Sequence, residues 1–406
     1  MASSNATLHP PRSAEETALT ERFAKLPAEE NRRTAFAAFA KTGLPHRRLE
    51  GWRWSDVRAA LAGLKSQSGE ALKDPFHALN GPSIYFYDDG LPPRGRNEEG
   101  LEIFDWQDAP VLDGADDLPL GALTAALASA PAMTGVNISL DAKKPLRLHF
   151  ESRHAGQFRR LRVTVRRGVT AQVIETHLAS GGFSGVLVDY QLEAGAKLDR
   201  IVYQAGAKQA VQTLTARIEL HQGARLLQTS FALGAKLARI ETRVEHFVGG
   251  SEAILNGAYL VGGGFHADLT SQVRHSHPAC LTRQTVKGAA RAGGRGVFQG
   301  KFFVARNAQK TDAEMQHNAL LLEEGAEINA KPELEIYADD VQCAHGNTAG
   351  ALDAAALFYM RQRGIPEAEA RALLTESFIA EAFGGAEAKI AEILLEDARR
   401  WLGGAP

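Results

Sequence analysis

Cys343 and His345 are the residues in this sequence whose types and spacing most directly suggest chemistry. They lie in the segment YADDVQCAHGNTAG, residues 337–350, and Cys343 is one of two cysteines in the chain. If the strand that begins at Glu333 continues through them, residues i and i+2 project from the same face. Thiolate and imidazole are ligands for iron, zinc and iron–sulfur centres. Two ligands do not complete a site, so others must come from this chain or a neighbour; the alternative is a buried thiol beside a histidine that ends the strand.

A second cluster contains His266, His275 and His277, and Cys280 follows it. His275 and His277 would share a strand face by the same rule. The spacing lacks the paired downstream motif that is typical of zinc sites. Polar residues on the outer face of a sheet are the favoured interpretation, and a metal site is the alternative.

Four carboxylates lie close together at Glu333, Glu335, Asp339 and Asp340. Solenoid enzymes that act on polysaccharides need paired acids, or acids that bind calcium, along an open groove. Glu333 and Glu335 would share the solvent face of their strand, which explains them without catalysis. A carbohydrate-active enzyme therefore stays a weak alternative.

Two glycine-rich segments, at 261–265 and 291–296, invite comparison with nucleotide-binding loops. Neither opens a helix after a strand with a Walker lysine or a dinucleotide fingerprint. The chain also has no GxSxG motif of a serine hydrolase. Nucleotide binding by this chain is not supported.

The composition is that of a globular protein without a strong charge bias. The chain has 406 residues, a formal net charge of −2 and 44% hydrophobic residues. Nucleic-acid binding and membrane-surface binding usually show a basic excess, which is missing. The first residues lack the apolar core of a signal peptide, and no stretch approaches the ~20 apolar residues of a membrane span. With two cysteines, a reducing cytoplasm is the expected location.

Period-2 alternation of apolar and polar residues predicts many strands from about residue 145 to residue 336. RLRVTVRR at 160–167 and LTARIEL at 214–220 are examples. Glycines at positions 168, 195, 223 and 250 are separated by 27, 28 and 27 residues. A glycine turn at near-constant spacing favours a stacked β-solenoid over a β-sandwich, which is the rival fold.

Helical patterns flank this β segment on both sides. Three parts are expected: 1–130, mostly helical with a tryptophan-rich arm around Trp52 and Trp54; 131–342, the β core; and 343–406, a helical tail. Gly346 to Thr348 are expected to turn the chain into that tail.

Two long segments carry a resemblance to a known family. Residues 284–322 include AQKTDA and LLL, and residues 333–365 include ELEIYADDVQCAHGNTAGALD and LFYMRQRGI. These phrases resemble the SufB/SufD family of the SUF iron–sulfur cluster assembly machinery. The arm phrase EGWRWSD at 50–56 is similar to the SufD branch, while the SufB branch is longer and richer in cysteine.

The resemblance implies a mainly β fold, a right-handed parallel β-helix flanked by N-terminal and C-terminal helical regions. It implies a scaffold subunit of a SufBCD complex without catalytic turnover, with SufB as the edge-to-edge partner and the ATPase SufC on the C-terminal helices. No cofactor is expected to be held tightly by this chain alone. A transient iron–sulfur cluster or iron is expected at the interface with SufB. A homodimer that acts without SufB is the alternative.

The resemblance also assigns roles to individual residues. His345 matches the histidine proposed to contribute at the SufB interface, where it would bind metal shared with the partner. Cys343 matches the cysteine of the same phrase, as a helper at that interface. Asn347 stands where the family often has a small residue, and it is expected to cap the following helix. The residues expected to dock SufC are Leu352, Phe358, Tyr359, Arg363, Leu373, Leu374 and Phe378.

Overall fold

A computed structural model describes residues 13–64, 69–89, 91–106, 109–128, 133–141, 144–154 and 156–404. The strands are β1 (Ser83–Tyr87), β2 (Leu101–Asp105), β3 (Met133–Ile138), β4 (Leu146–Ser152), β5 (Phe158–Val165), β6 (Thr170–Ala179), β7 (Gly182–Leu192), β8 (Lys197–Gly206), β9 (Ala210–Leu220), β10 (Arg225–Ala232), β11 (Leu237–His246), β12 (Glu252–Val261), β13 (His266–His275), β14 (Leu281–Ala290), β15 (Arg295–Val304), β16 (Asp312–Leu321), β17 (Glu327–Ile336) and β18 (Gln342–Gly350).

The helices lie before, between and after these strands. They are α1 (Ala14–Ala24), α2 (Glu30–Thr42), α3 (Val57–Leu61), α4 (Pro119–Leu127), α5 (Ala354–Gln362), α6 (Glu367–Ala380) and α7 (Ala388–Leu402), with short 3-10 helices at Glu50–Trp52, Ala115–Asp117 and Glu381–Phe383. Within the described ranges, no helix is long and apolar enough to cross a membrane.

The strands form two nine-stranded sheets that face each other. Sheet A has the order β1-β4-β6-β8-β10-β12-β14-β16-β18, and sheet B has the order β17-β15-β13-β11-β9-β7-β5-β3-β2. From β3 onwards the chain alternates between the sheets, and each strand pairs in parallel with the strand two places away in sequence. This is a β-solenoid with flanking helices, as predicted, and the β-sandwich is excluded because the pairing is parallel.

The regular coil follows from the glycine turns and the buried columns between them. Gly168, Gly195, Gly223 and Gly250 all have φ between 66° and 73°, a left-handed conformation that favours glycine. Because the pairing keeps its register, residues at equivalent positions stack in columns such as Leu198, Leu226 and Ala253. These columns are buried in one continuous apolar core between the sheets.

The N-terminal helices cover the outer face of sheet B. The arm is anchored by Trp52, whose ring lies 3.8 Å from the Arg239 guanidinium carbon. Next to it, the buried Ser55 hydroxyl donates to Asp268 at 2.5 Å. A salt bridge of 2.7 Å joins Glu50 to Lys331 of β17. The arm is therefore held on the later coils of the solenoid.

The C-terminal helices cover part of the outer face of sheet A. Helix α7 buries Ile390, Leu394 and Ala398, whose spacing of four places them on one face. The same apolar cluster contains Tyr203 and Phe231 of the sheet. The Tyr203 hydroxyl also donates to Asp397 at 2.7 Å.

The two ends of the solenoid differ. At the N-terminal end, Arg94 folds back and exchanges two backbone hydrogen bonds of 2.9 Å with Tyr85 of β1, and β2 adds to β3 in antiparallel orientation. At the other end, β17 and β18 each have a strand neighbour on one side alone among the described residues. The C-terminal end therefore presents two unpaired strand edges.

Three local predictions around the last strand are wrong. The strand expected to begin at Glu333 and to continue through Cys343 is instead β17, which begins at Glu327 and ends at Ile336, and residues 337–341 separate it from β18. Gly346 to Thr348 do not turn the chain into the tail, because strand pairing with β16 continues to Gly350. Asn347 does not cap α5, since the Asp353 side chain accepts from the first amides of that helix.

Candidate functional site

The last strand, β18, carries Cys343 and His345 on its inward face. Cys343 pairs in register with Ala313, and His345 pairs with Met315. Ala313 and Met315 are buried in the core, and side chains in one column of a parallel sheet point the same way. The prediction that Cys343 and His345 share one face of a strand is confirmed. That face points into the space between the two sheets, here called the lumen face, at the end of the solenoid where β17 and β18 have unpaired edges.

Cys343 sits at the rim of the apolar core. Its side chain is half-buried and packs against the core cluster. Burial, together with the charge of Asp312, raises the pKa of the Cys343 thiol. Because the thiolate is the metal ligand and the nucleophile, this thiol on its own is less reactive than an exposed cysteine.

His345 stands further out on the same face. Its side chain is exposed, although its column neighbour Met315 is fully buried. The difference arises because β18 is the last strand of sheet A among the described residues, so no coil covers it. None of the hydrogen bonds and ion pairs found among the described residues uses this imidazole, so both ring nitrogens are open to an incoming ligand.

The residues at this end do not form a complete metal site by themselves. Within the described ranges, no group of three or more His, Cys, Asp or Glu side chains is placed to hold a metal ion. Any metal bound at His345 needs further ligands from outside this chain.

The second histidine cluster lies elsewhere and is built differently from the prediction. His266 and His275 are both buried. His266 lies on the outer face of sheet B, as expected, beneath Ser55 of the arm. His275 lies on the inner face against Phe302, so its assignment to the outer face is wrong.

His275 stacks on His246 with ring centroids 4.7 Å apart, and both rings bond the Thr282 hydroxyl. Burial lowers the pKa of His275 to about 4. The two neutral imidazoles share the Thr282 hydroxyl as a hydrogen-bond partner. We interpret the cluster as a stabilising part of the core and not as a metal site.

Cys280 is a buried thiol in the turn after this cluster. Its sulfur lies 3.4 Å from the carbonyl oxygen of His277 and 3.8 Å from the Ser251 hydroxyl. Ser251 in turn contacts His246 at 2.7 Å. The thiol is therefore surrounded by polar groups in the interior of the protein, and at 1% exposure it is not accessible to another protein.

Ser55, His266 and Asp268 have the residue types of a hydrolase triad without its geometry. The Ser55 oxygen contacts His266 Nε2 at 3.1 Å and Asp268 at 2.5 Å. In a triad the carboxylate bonds the other ring nitrogen of the histidine. Here all three groups are buried, so they fasten the arm to the sheet.

The carboxylates near the end of the solenoid are paired with lysines. Glu333 lies 3.1 Å from Lys331, and Glu335 lies 2.6 Å from Lys301. The charge of Lys301 and its hydrogen bond lower the pKa of Glu335. These groups form an ion-paired surface and have no arrangement that favours glycoside cleavage.

Comparison with known proteins fits this architecture. The family model described as "SUF system FeS cluster assembly, SufBD core domain" matches residues 148–378, more than half of the chain. The chain belongs to the SufB/SufD family. It is therefore a SufD-like member of a family that acts in iron–sulfur cluster assembly.

Individual relatives support the assignment at different coverage. The iron–sulfur cluster assembly protein SufD of Escherichia coli is 29% identical over 84% of this chain and 85% of its own length. A SufBD family protein of Synechocystis is 31% identical over 49% of this chain and 44% of its own length. The chloroplastic protein ABCI7 of Arabidopsis thaliana is 42% identical over 28% of this chain and 24% of its own length.

The tail residues predicted to dock the ATPase of the SUF system divide into two groups. Phe358, Tyr359 and Leu373 are 62%, 58% and 44% exposed, and Arg363 is exposed beside Tyr359. The other three, Leu352, Leu374 and Phe378, are half-buried. Leu352 and Phe378 pack against the solenoid. The exposed Phe358 and Tyr359 of α5, with Leu373 of α6, form what we call the aromatic surface of the tail.

Sequence reasoning missed two members of the buried network at the open end, Tyr259 and His317. His317 lies in the column next to that of His345 and bonds Asn347 at 2.7 Å. The period-2 position of His317, two residues after Met315, was the signal that it points into the core. The link to Tyr259 depends on stacking between coils and has no local sequence signal.

Proposed function

We propose that this chain is the SufD-type subunit of a SufBCD complex and supports iron–sulfur cluster assembly at an interface with SufB. The chain acts as a scaffold in the cytoplasm and has no turnover of its own, and ATP hydrolysis belongs to SufC. The single observation that carries the proposal is the unpaired end of the solenoid, where β18 exposes His345 on a face that is elsewhere buried.

Unpaired strand edges favour the addition of another strand. A solenoid normally ends in a cap that shields its last coil, and an exposed edge is a template for pairing with another chain. Here the apolar rim includes the half-buried Ile328, Ala330 and Leu334 of β17. A second β-helix placed end to end would bury this rim and pair with the edges. SufB, the family paralogue, is the partner that we assign to this surface.

We assign to His345 the binding of the iron, or of the transient iron–sulfur cluster, that is assembled at the interface. A neutral imidazole nitrogen can bind iron, and the remaining ligands would come from SufB. Cys343 is the helper on the same face, and it needs deprotonation before it can bind metal. The transient cluster or iron belongs to the interface, and among the described residues no group of three or more His, Cys, Asp or Glu side chains is placed to hold a metal ion.

The exposed aromatic surface of the tail is the docking site that we assign to SufC. Phe358 and Tyr359 are large exposed apolar side chains at neighbouring positions, and such residues are typical of the centres of protein interfaces. Arg363 lies over the Tyr359 ring at 5.0 Å and adds a charged group at the rim. The half-buried Leu352, Leu374 and Phe378 complete the set of residues that we assign to this site, and Leu352 and Phe378 pack against the solenoid.

The test is reconstitution of the complex from this chain, SufB and SufC. We expect the three chains to co-purify, and His345→Ala to assemble normally but to lose most of the cluster formed from ferrous iron and sulfide. An unchanged cluster yield in the variant would refute the role of His345. If the chain elutes as a dimer in size-exclusion chromatography, and its elution does not change when SufB is added, the homodimeric alternative holds.

A further inference from the structure

Asn347 follows His345 on the same inward face of β18 and is held by a buried polar chain. We propose that the Asn347 side-chain NH2 group donates a hydrogen bond to an anionic sulfur, a sulfide or a partner thiolate, that is a ligand of the iron held by His345. The buried pair Tyr259 and His317 act as positioning residues that orient this amide. The inference rests on the proposed function and adds a residue to its site.

The chain of contacts runs from the core to the exposed strand. The Tyr259 hydroxyl lies 3.0 Å from His317 Nε2, and His317 Nδ1 lies 2.7 Å from the Asn347 side-chain oxygen. Tyr259 and His317 are both fully buried. The His317 ring is also stacked on Phe298, with centroids 4.7 Å apart and planes 6° from parallel. The imidazole therefore has one fixed position and orientation.

The direction of each hydrogen bond follows from the buried tyrosine. A buried hydroxyl proton needs an acceptor, and His317 Nε2 is the acceptor found for Tyr259 among the described residues. Burial raises the pKa of Tyr259, so its hydroxyl is protonated and donates. Burial lowers the pKa of His317 to about 4, so the ring is neutral and carries one proton.

The tautomer of His317 then determines which side-chain atom of Asn347 faces it. Since Nε2 accepts from Tyr259, the single ring proton is on Nδ1. Nδ1 donates, so the atom of Asn347 that it meets must be the oxygen. The amide nitrogen of Asn347 is thereby left on the other side of the group. It has no acceptor within the described part of the chain, and the residue is exposed.

The amide nitrogen thus offers two N–H donors at the rim that carries His345. Hydrogen bonds to the sulfurs of an iron–sulfur centre are one of the factors that set its reduction potential. A donor stabilises the more negatively charged, reduced state, so its loss shifts the potential to more negative values. Asn347 would act on the sulfur while His345 binds the iron.

A matched control lies one residue along the strand. Asn318 donates to the Thr348 hydroxyl at 2.7 Å, the same kind of bridge between β16 and β18 as His317 to Asn347. Thr348 belongs to the opposite face of the strand because side chains alternate. Thr348→Val therefore removes a side-chain hydrogen bond between β16 and β18, comparable to that between His317 and Asn347, and leaves the side chains of the lumen face unchanged.

The first experiment tests the positioning in the chain alone. In nitrogen-15 NMR of the histidine side chains, wild-type His317 should show the Nδ1-protonated tautomer with a slowly exchanging proton. Tyr259→Phe should convert this to a mixture of tautomers, and Asn347→Ala should speed exchange of the Nδ1 proton. A wild-type Nε2-protonated tautomer would overturn the proposal, because the Asn347 oxygen would then face outward.

The second experiment measures the site in the complex with SufB and SufC, loaded with ferrous iron and sulfide. Asn347→Ala should form a cluster whose reduction potential is shifted to more negative values, with a smaller shift in the same direction for Tyr259→Phe and none for Thr348→Val. Equal shifts for Asn347→Ala and Thr348→Val would overturn the proposal, since the loss of a hydrogen bond between β16 and β18 would alone explain both. No shift for Asn347→Ala would overturn it as well.

His345→Ala in the same assay separates this inference from the proposed function. Loss of the cluster in His345→Ala with an unshifted Asn347→Ala cluster refutes the role of Asn347 alone. A normal cluster in His345→Ala refutes the proposed function, and the role of Asn347 falls with it.

Discussion

Glu175 and Arg200 form an ion pair inside the solenoid, with 2.6 Å between Glu175 Oε1 and Arg200 Nε and both side chains 0% exposed. The Tyr190 hydroxyl donates to the same carboxylate at 2.6 Å, and His177 Nε2 lies 3.0 Å from its other oxygen. Burial by itself would raise the pKa of Glu175, but the Arg200 charge and the His177 hydrogen bond outweigh it and lower that pKa to about 2. The carboxylate is therefore charged although it is fully buried.

Removal of this carboxylate should destabilise the chain strongly. Glu175→Ala leaves the Arg200 charge buried without its partner, and such a change costs about 3–5 kcal/mol in free energy of unfolding. Urea denaturation would measure it. Glu252→Ala is the control, since its pair with Arg225 is 32% and 63% exposed, and exposed pairs contribute about 0–1 kcal/mol. Similar losses in the two variants would contradict the interpretation.

The buried histidines should make the chain sensitive to acid. His275 and His317 have pKa values lowered to about 4 by burial, against about 6.5 in the unfolded chain. The unfolded state therefore binds more protons, and their contribution to stability is present above about pH 6.5 and is lost as the pH falls through 4. Urea denaturation at a series of pH values should show this fall. His275→Asn should flatten the slope; an unchanged slope would contradict the prediction.

The N-terminal arm should detach before the solenoid unfolds. Trp52→Ala removes the ring that covers the Arg239 guanidinium, and large-to-small changes at buried aromatics cost about 3–5 kcal/mol. Hydrogen exchange should then increase in α1 to α3, while the strands of sheet B keep their protection. Trp54→Ala, at a half-buried position, is the control. Equal exchange in both variants would show that Trp52 is not the anchor.

Asp312 should control the reactivity of the Cys343 thiol. Burial and then the Asp312 charge raise the pKa of Cys343, so Asp312→Asn should lower that pKa and increase the thiolate fraction. The rate of alkylation by iodoacetamide, followed by mass spectrometry, should rise at Cys343. Cys280 is 1% exposed and should stay unmodified in the native chain. A slower rate at Cys343 in the variant would contradict the electrostatic argument.

The aromatic surface of the tail should determine SufC binding if the proposed docking site is correct. Phe358→Glu places a charge on a side chain that is 62% exposed, so stability should change little while the dissociation constant rises more than about tenfold, as for an interface hot spot. Calorimetric titration with SufC would measure it. Leu140→Glu, at a position that is 51% exposed, is the matched control and should bind normally.

Much of the fold was predictable because every coil of a solenoid repeats the same turn and the same alternation of apolar and polar residues. The left-handed turns at Gly168 and Gly195 recur at regular spacing, and period-2 strands fill the intervals. The break between β17 and β18 was missed because the turn that begins at Tyr337 contains neither glycine nor proline. Without glycine or proline, the sequence pattern does not show where one strand ends and the next begins, so the two strands were predicted as one.

The candidate site was predictable in part. Strand periodicity placed Cys343 and His345 on one face, and β18 bears this out. It could not show that this face is the end of the lumen, because that depends on which coil is last. The burial of His275 and the bond from His317 to Asn347 depend on register between strands that lie about thirty residues apart, which local patterns do not contain.

The difference between the two ends of the solenoid has a consequence for stoichiometry. Open-ended filaments grow when a molecule offers a complementary template at each end, so that every addition regenerates a free one. Here the two ends differ: one carries the fold-back of Arg94 on β1 and the antiparallel β2, and the other carries the edges of β17 and β18. If SufB docks on the edges of β17 and β18 as proposed, the strand edges at that end become paired and are no longer available to a further molecule. Because the other end presents a different arrangement of strands, we expect the proposed complex to be a closed pair and not a filament.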